Sequence, residues 1–283
     1  MFKKSPLKSK KILRQKRKAL FLKIAAIVTI FLLCVFGLSW ASKVSFISIN
    51  DITVEGNAAV EAEELKRLAK DQIGGNYIKL FSRANRFIYP EDAIAASILT
   101  QYQRVKSVDL NVNGKTLDVR VVERKPSYTW CKGTPETQQE TSCYFLDEQG
   151  YIFTEAPVFS GNAYVSFYGI VEDENPLGST YLGSSTFKTL DKLISYVSEQ
   201  GIHPYALLAQ KSGTYELYIE PRAKILFKAD QDIDTLIDNI RLVMENTELL
   251  KQENISRLEY IDLRFGNKLY YKVSGDKALQ IGE

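Results

Sequence analysis

The chain has one histidine, three cysteines and, before Asp51, no acidic residue at all. Each scarcity excludes something. One histidine and three scattered cysteines leave a structural zinc site short of ligands. His203 stands before Pro204, between a helix cap and a strand. A catalytic base would need a nucleophile and an orienting acid beside it in space, so a surface or structural histidine is the plainer reading. The chain has no G-x-S-x-G, no phosphate-cradling glycine loop, no H-E-x-x-H and no S-x-x-K in a catalytic setting. Carboxylate pairs for glycoside cleavage stay open, because Asp and Glu occur throughout the later chain and sequence does not give their separations. Internal repeats and low-complexity segments are absent too.

The missing acids sharpen what the N-terminus holds. Lys3, Lys4, Lys8, Lys10, Lys11, Arg14, Lys16, Arg17, Lys18 and Lys23 precede an uncharged run, Ile24 to Ser42. As a helix that run measures roughly 28 Å, about the thickness of a bilayer's hydrocarbon core. Trp40 near its outer end suits the headgroup region, and the basic cluster sets the N-terminus in the cytoplasm by the positive-inside rule. A cleaved signal peptide could use Ser39 and Ala41 as a small-x-small site, but both the basic region and the apolar run are long for that role. A buried core helix fits less well, because the run is apolar on every face. The anchor reading is preferred.

Residues 1–50 hold 11 of the 37 basic residues and none of the 34 acids, so the later chain carries a net charge of about −8. The overall +3 is therefore no nucleic-acid footprint. The basic tail reads as topology signal and lipid-surface contact. Cys34 lies within the apolar run. Cys131 and Cys143 flank a polar loop, Lys132 to Ser142, and two readings stay open for them: a disulfide in an oxidising compartment, or two unpaired thiols.

After the apolar run the pattern is α+β. An alternating strand, Val44–Val54, ends at Glu55-Gly56-Asn57. A helix follows over Val60–Ile73 with Gly74-Gly75 as its stop, then a second from Pro90 with Ile94, Ile98 and Leu99 as its apolar stripe. Val105–Val112 and Leu117–Val122 alternate around Asn113-Gly114, a dipeptide suited to a type I′ hairpin. From Pro126 onward short β-rich runs dominate, interrupted by helices near Ser185–Gln200 and Asp232–Thr247. The expected layout is a cytoplasmic tail at 1–23, a transmembrane helix at 24–42, a β-α-α-β-β domain at 43–125, an antiparallel β domain with two helices at 126–275, and a short tail at 276–283.

Two carboxylate clusters imitate calcium loops. In Asp109-Leu-Asn111-Val-Asn113-Gly114 the twelfth position is Arg120 where calcium needs a bidentate Glu, and the surrounding alternation says hairpin. Asp230, Asp232 and Asp234 read better as a helix N-cap, since the sixth position is Thr235 and the twelfth Arg241. No metal and no cofactor is expected.

Four local patterns, in order after the anchored topology, carry a family resemblance. They are Ile52-Thr-Val54-Glu-Gly56-Asn57, then Val122-Glu123-Arg124-Lys125-Pro126 with Trp130, then Leu146-Asp147-Glu-Gln-Gly150-Tyr-Ile-Phe153, and finally Tyr260-Ile261-Asp262-Leu263-Arg264-Phe265. Along nearly its whole length the chain resembles the FtsQ/DivIB cell-division proteins, whose first domain is of the POTRA type. It departs from them in lacking a Pro before Val105 and in a long stretch, Asn76 to Tyr89, between the first two helices. The resemblance implies a non-catalytic bitopic scaffold in the cytoplasmic membrane at the division site. It implies FtsB- and FtsL-type partners outside the cytoplasm, and other division proteins bound through the POTRA-like domain.

It also implies a site, in which the partner adds a strand at the end of the β domain. Carried over by position, that patch is Arg264, Phe265, Gly266, Asn267, Lys268, Leu269, Tyr270 and Tyr271, with Arg264 and Phe265 on the motif itself. A terminal strand offers unpaired N–H and C=O groups for augmentation. Arg264 would clamp a carboxylate, and the three aromatics would give rigid contact area. Packing of the last strand alone accounts for the same residues. The other functional readings are a POTRA-bearing transport or assembly component, and a membrane-anchored cell-wall enzyme.

Overall fold

The computed structural model describes residues 10–136, 142–171, 173, 175–246, 257–266, 268–275 and 279–281. The chain divides into two compact units after Glu123, two residues before the expected boundary.

The first unit opens with α1 (Lys10–Ala41), which runs back through much of the basic tail. Its apolar side chains stand uncovered, with Phe21, Phe31 and Phe36 all exposed. The helix is long and apolar enough to cross a membrane. The strand expected from Val44 begins only at Asp51. Residues 43–49 instead turn back, Ile47 N–H donating to Val44 O and Ile49 N–H to Ala84 O.

β1 (Asp51–Glu55), α2 (Ala62–Ile73), α3 (Glu91–Gln101), β4 (Val105–Asn113) and β5 (Thr116–Glu123) then follow in the expected β-α-α-β-β order, with the small hairpin β2 (Asn76–Tyr77) and β3 (Phe81–Ser82) inserted between the helices. The sheet order is β1-β5-β4, with β1 parallel and β4 antiparallel to β5. Leu65, Leu68, Ala69 and Ile73 of α2 and Ile94 and Ile98 of α3 bury against Leu110, Leu117, Val119 and Val121, so both helices cover one face. Asp118, Arg120 and Val122 alternate onto the other face. The β4–β5 turn has positive φ at Gly114 alone, the pattern of a II′ turn with glycine first, where a I′ turn was expected.

α2 starts two residues later than its apolar pattern suggests, and Glu123 explains why. Its carboxylate accepts the N–H groups of Ala58, Ala59 and Val60 at 2.7, 3.0 and 3.0 Å, and Arg104 Nε lies 3.1 Å away. Donors committed to a carboxylate hold their backbone out of the helix. Burial opposes ionisation of Glu123, but the three backbone donors and Arg104 outweigh it, and the carboxyl titrates below its usual range. Gly56 sits at the same corner with φ +83°, and a Cβ there would meet Val121 O at 2.1 Å. Only glycine fits.

The second unit is a ten-stranded sheet in the order β15-β14-β13-β12-β11-β10-β9-β6-β7-β8. Its strands are β6 (Tyr128–Cys131), β7 (Cys143–Leu146), β8 (Ile152–Ala156), β9 (Ser166–Tyr168), β10 (Pro204–Ala209), β11 (Thr214–Ile219), β12 (Ala223–Lys228), β13 (Leu258–Phe265), β14 (Lys268–Val273) and β15 (Leu279–Ile281). The expectation of an antiparallel domain is corrected here. β6 with β9, β9 with β10, and β12 with β13 are parallel. Parallel neighbours need a crossover, and α4 (Ser184–Glu199) and α5 (Ile233–Asn246) supply two of them. Phe187, Leu190, Leu193, Ile194 and Val197 of α4 and Leu236, Ile237, Ile240 and Val243 of α5 fill the core over the sheet.

Motif residues lie at the joints of this unit. Asp147, buried, accepts N–H groups from Gln149 and Tyr151 at 2.8 and 3.0 Å and pairs with Arg124, whose guanidinium lies 3.9 Å over the Tyr151 ring. Cys131 and Cys143 are disulfide-bonded as a cross-strand pair between β6 and β7, which settles the two open readings. Asp232 Oδ2 accepts the N–H of Thr235 at 2.9 Å, the N-cap geometry expected of that cluster.

Two outcomes follow for stability. Glu123 titrates lower folded than unfolded, so its contribution is complete above about pH 4.3, the unfolded value, and is lost as pH falls through the folded value. Glu123→Gln should lower neutral-pH stability by about 1–3 kcal/mol and flatten the acid limb of unfolding, read by circular dichroism against pH. Replacing both Cys131 and Cys143 by serine should cost about 2–3 kcal/mol for so short a closed loop, measured by denaturant titration.

Candidate functional site

The patch expected at the end of the sheet is built on β13 and β14. Residues alternate across β13, so Ile261 and Leu263 point into the helix-covered core while Tyr260, Asp262 and Arg264 share the opposite face. Two residues apart on one face, Asp262 and Arg264 meet directly. Arg264 Nε donates to Asp262 Oδ1 at 2.8 Å and Nη2 to Oδ2 at 2.6 Å, a two-point fork. The hydrogen bonds that Arg264 donates to Asp262 raise its pKa, and Asp262 itself is buried. The guanidinium is thus already engaged within its own strand, not left free for a partner carboxylate.

β13 turns at Gly266, which has φ +65°, a conformation glycine adopts without strain. Phe265, before the turn, is 56% exposed, and its ring meets Tyr270 edge-on at 5.3 Å. Register places Phe265 opposite Lys268 and Asp262 opposite Tyr270. Lys268 is exposed, Tyr270 half-buried, and Leu269 buried in the core, with Tyr271 packed at its margin. Asn267 lies outside the described residues. The structure thus brings Arg264, Phe265 and Tyr270 together, while Leu269 and Tyr271 serve the domain's own packing.

β14 is not the last strand. β15 pairs antiparallel with it, setting Ile281, Gln280 and Leu279 against Leu269, Tyr270 and Tyr271. The segment expected to be a short tail therefore contributes to the sheet. Three residues carry too little pattern to be read as a strand, although Ser274-Gly275-Asp276 before them is a turn signal.

The helix-free face beside this patch is polar yet ordered. Glu216 is buried and accepts hydrogen bonds from Gln210, Tyr218 and Lys224 at 2.6, 3.0 and 2.7 Å. Tyr218 Oη also lies 2.8 Å from a Glu136 carboxylate oxygen, the alternative acceptor for its one proton, and burial first, then these carboxylates, raises its pKa. The phenol has one proton to share between the two carboxylates, and both negative charges hold it in its neutral form.

Elsewhere, a concavity of about 760 Å³ lies along β1 and α2, lined in part by Asp51, Glu63, Glu64, Lys66 and Arg67. Glu63 pairs with Lys66 at 2.8 Å, and Glu64 pairs with Arg67. The hydrogen bond from Arg67 lowers the Glu64 pKa, the reverse of what a general acid needs. His203 is exposed, its backbone carbonyl accepting Glu220 N–H at 2.9 Å.

The two halves of the sheet-end patch should separate in a stability assay. Asp262→Asn removes half of a buried ion pair and should cost about 3 kcal/mol, whereas Phe265→Ala, largely solvated, should stay within about 0.5 kcal/mol, both read by urea titration. Comparison with protein-family models and with curated proteins yields no match, so a functional reading rests on these residues and their geometry.

Proposed function

We propose that the protein is a membrane-anchored, non-catalytic scaffold of the FtsQ/DivIB kind, with its N-terminus in the cytoplasm and both folded units outside. It binds FtsB- and FtsL-type division proteins through the end of the ten-stranded sheet, and it links early to late division proteins. The observation that carries this reading is the sheet end itself. An exposed Phe265 set edge-on against Tyr270 stands beside the ladder of β14, which among the described residues the three-residue β15 closes. Exposed aromatic pairs beside a sheet edge are the chemistry of strand-adding partners. The order of the chain agrees: basic tail, apolar helix, β-α-α-β-β unit, mixed sheet.

The partner strand takes the place of β15 on β14. Among the described residues, β15 pairs with the six-residue β14 from Leu269 to Tyr271.

The test is binding of the purified full chain to FtsB and FtsL homologues from the same genome, by calorimetry in detergent. Phe265→Ala and Tyr270→Ala should each weaken binding by more than about 1 kcal/mol, roughly fivefold. Deleting residues 276–283 should strengthen it, because the β14 edge is then bare. Unchanged affinity in both alanine variants would remove the site from this patch. Loss of binding on the deletion would place the partner outside β15. A well-folded chain that binds neither homologue would end the scaffold reading.

A further inference from the structure

The stretch from Asn76 to Tyr89, long for the family that the chain resembles, forms a hairpin fastened to the end of α1. Ser39 Oγ donates to Leu80 O at 2.7 Å, Ser42 Oγ accepts Ser82 N–H at 3.3 Å, and Asn85 Nδ2 donates to Ser42 O at 3.3 Å. Arg86 N–H donates to Ile47 O and Ile49 N–H to Ala84 O, at 3.0 and 2.7 Å. Ser39 and Ser42 are both buried by these contacts, while Trp40 beside them is exposed. At ~1.5 Å per residue, Ser39 lies roughly 4–5 Å inside the end of the apolar run. The hairpin therefore reaches down beside the last turn of that run.

What it presents there is unsuited to water. Ile78 at the tip is 88% exposed, and Phe46 and Phe87, flanking the Ile47–Arg86 hydrogen bond, are 77% and 73% exposed. Ile78 and Lys79 hold φ of +48° and +62°, a region costly for a β-branched residue. Strain that turns an isoleucine outward points to something that receives it. The charge is also one-sided: Lys43, Lys79, Arg83 and Arg86 are basic, and the segments 43–50 and 74–90 carry no acid. Apolar and aromatic tips interleaved with cations, level with Trp40, match the headgroup zone of a bilayer.

The geometry points to a second membrane contact: the hairpin 76–82, with Phe46 and Phe87, seats in the outer headgroup layer of the lipid bilayer and fixes the first unit against the membrane. This rests on the anchoring proposed above, and the experiment separates the two.

The full chain is reconstituted in phospholipid vesicles and labelled with a polarity-sensitive fluorophore at one thiol, the Cys131–Cys143 disulfide being left intact. One sample carries the label on native Cys34, within the apolar run. Others carry Cys34→Ser with Ile78→Cys, Phe87→Cys or Glu61→Cys, the last at the far end of α2. Spin-labelled lipids quench either near the headgroups or near the bilayer centre. Position 34 should be quenched by the deep probe, and positions 78 and 87 by the shallow probe with blue-shifted emission. Position 61 should be quenched by neither. A quenched position 34 with water-like, unquenched emission at both 78 and 87 would overturn the hairpin contact and leave the anchor standing. An unquenched position 34 would overturn the anchor and the hairpin contact together.

Discussion

Two parallel strands cannot be joined by a tight turn, and that constraint shapes the second unit. β9 to β10 and β12 to β13 each need a crossover, and each crossover contains a helix. The antiparallel steps from β10 through β11 to β12 bring β12 back to the direction of β10. Both crossovers thus move the same way across the sheet between strands of the same sense. A shared hand then puts α4 and α5 on one face. Lys192 Nζ lies 2.7 Å from Asp234 Oδ1, a salt bridge between the two helices. With all helical cover spent on one side, the other face keeps its Glu216, Tyr218 and Lys224 network, while at one end of the sheet residues 178–181 hydrogen-bond along β8.

The motifs that suggested a family turn out to be joints. Gly56 and Glu123, 67 positions apart in sequence, meet at one corner, where glycine admits the Val121 carbonyl and the carboxylate gathers three backbone donors. Arg124 and Asp147 meet again over Tyr151. Asp262 and Arg264 close on each other. Each pair joins a charged or special-conformation residue to backbone that would otherwise go unbonded, and that is the commonest reason a short pattern is worth having. In the first unit Glu123 is the polar counterpart of the core, tying residues 58–60 and Arg104 to the end of β5.

Periodicity made most of the elements legible. α4 and α5 run within one residue of the spans their apolar stripes suggest, and Lys268–Val273 is a strand as read. Strand direction was not legible, because a side-chain period of two is the same for parallel and antiparallel pairs. The signal lay in connection length: a sixteen-residue helix between two strands implies a crossover. The late start of β1 at Asp51 was hidden because Phe46, Ile47 and Ile49 alternate like a strand, although the turn at 43–49 carries them. Of the site, Phe265 was placed by the family pattern and Tyr270 by adjacency, while their edge-on contact across the turn was not legible. The Arg264–Asp262 fork was present as an alternate-residue pair on one strand, but the reading that gave Arg264 to a partner carboxylate overlooked it. β15 was beyond reach, since three residues show no period.

The register of the first unit has a consequence for how the chain is presented. β1 leaves the end of α1 and runs to Gly56, and β5 pairs with it in parallel, Asp51 beside Thr116 and Glu55 beside Arg120. Parallel pairing obliges both strands to finish at the same end. Glu123 therefore sits at the end opposite α1, and its grip on residues 58–60 marks that end, while Gly74 and Gly75 at the close of α2 lead into the hairpin beside Ser39 and Ser42. Twelve residues of α2, about 18 Å of helix, separate the two. Were β5 antiparallel to β1, the chain would leave the first unit where it entered, against the apolar helix. The parallel pair makes it leave a helix length away, and the inserted hairpin holds the near end where it is. One element fixes the base of the first unit and the other places its last residue, Glu123, at the opposite end.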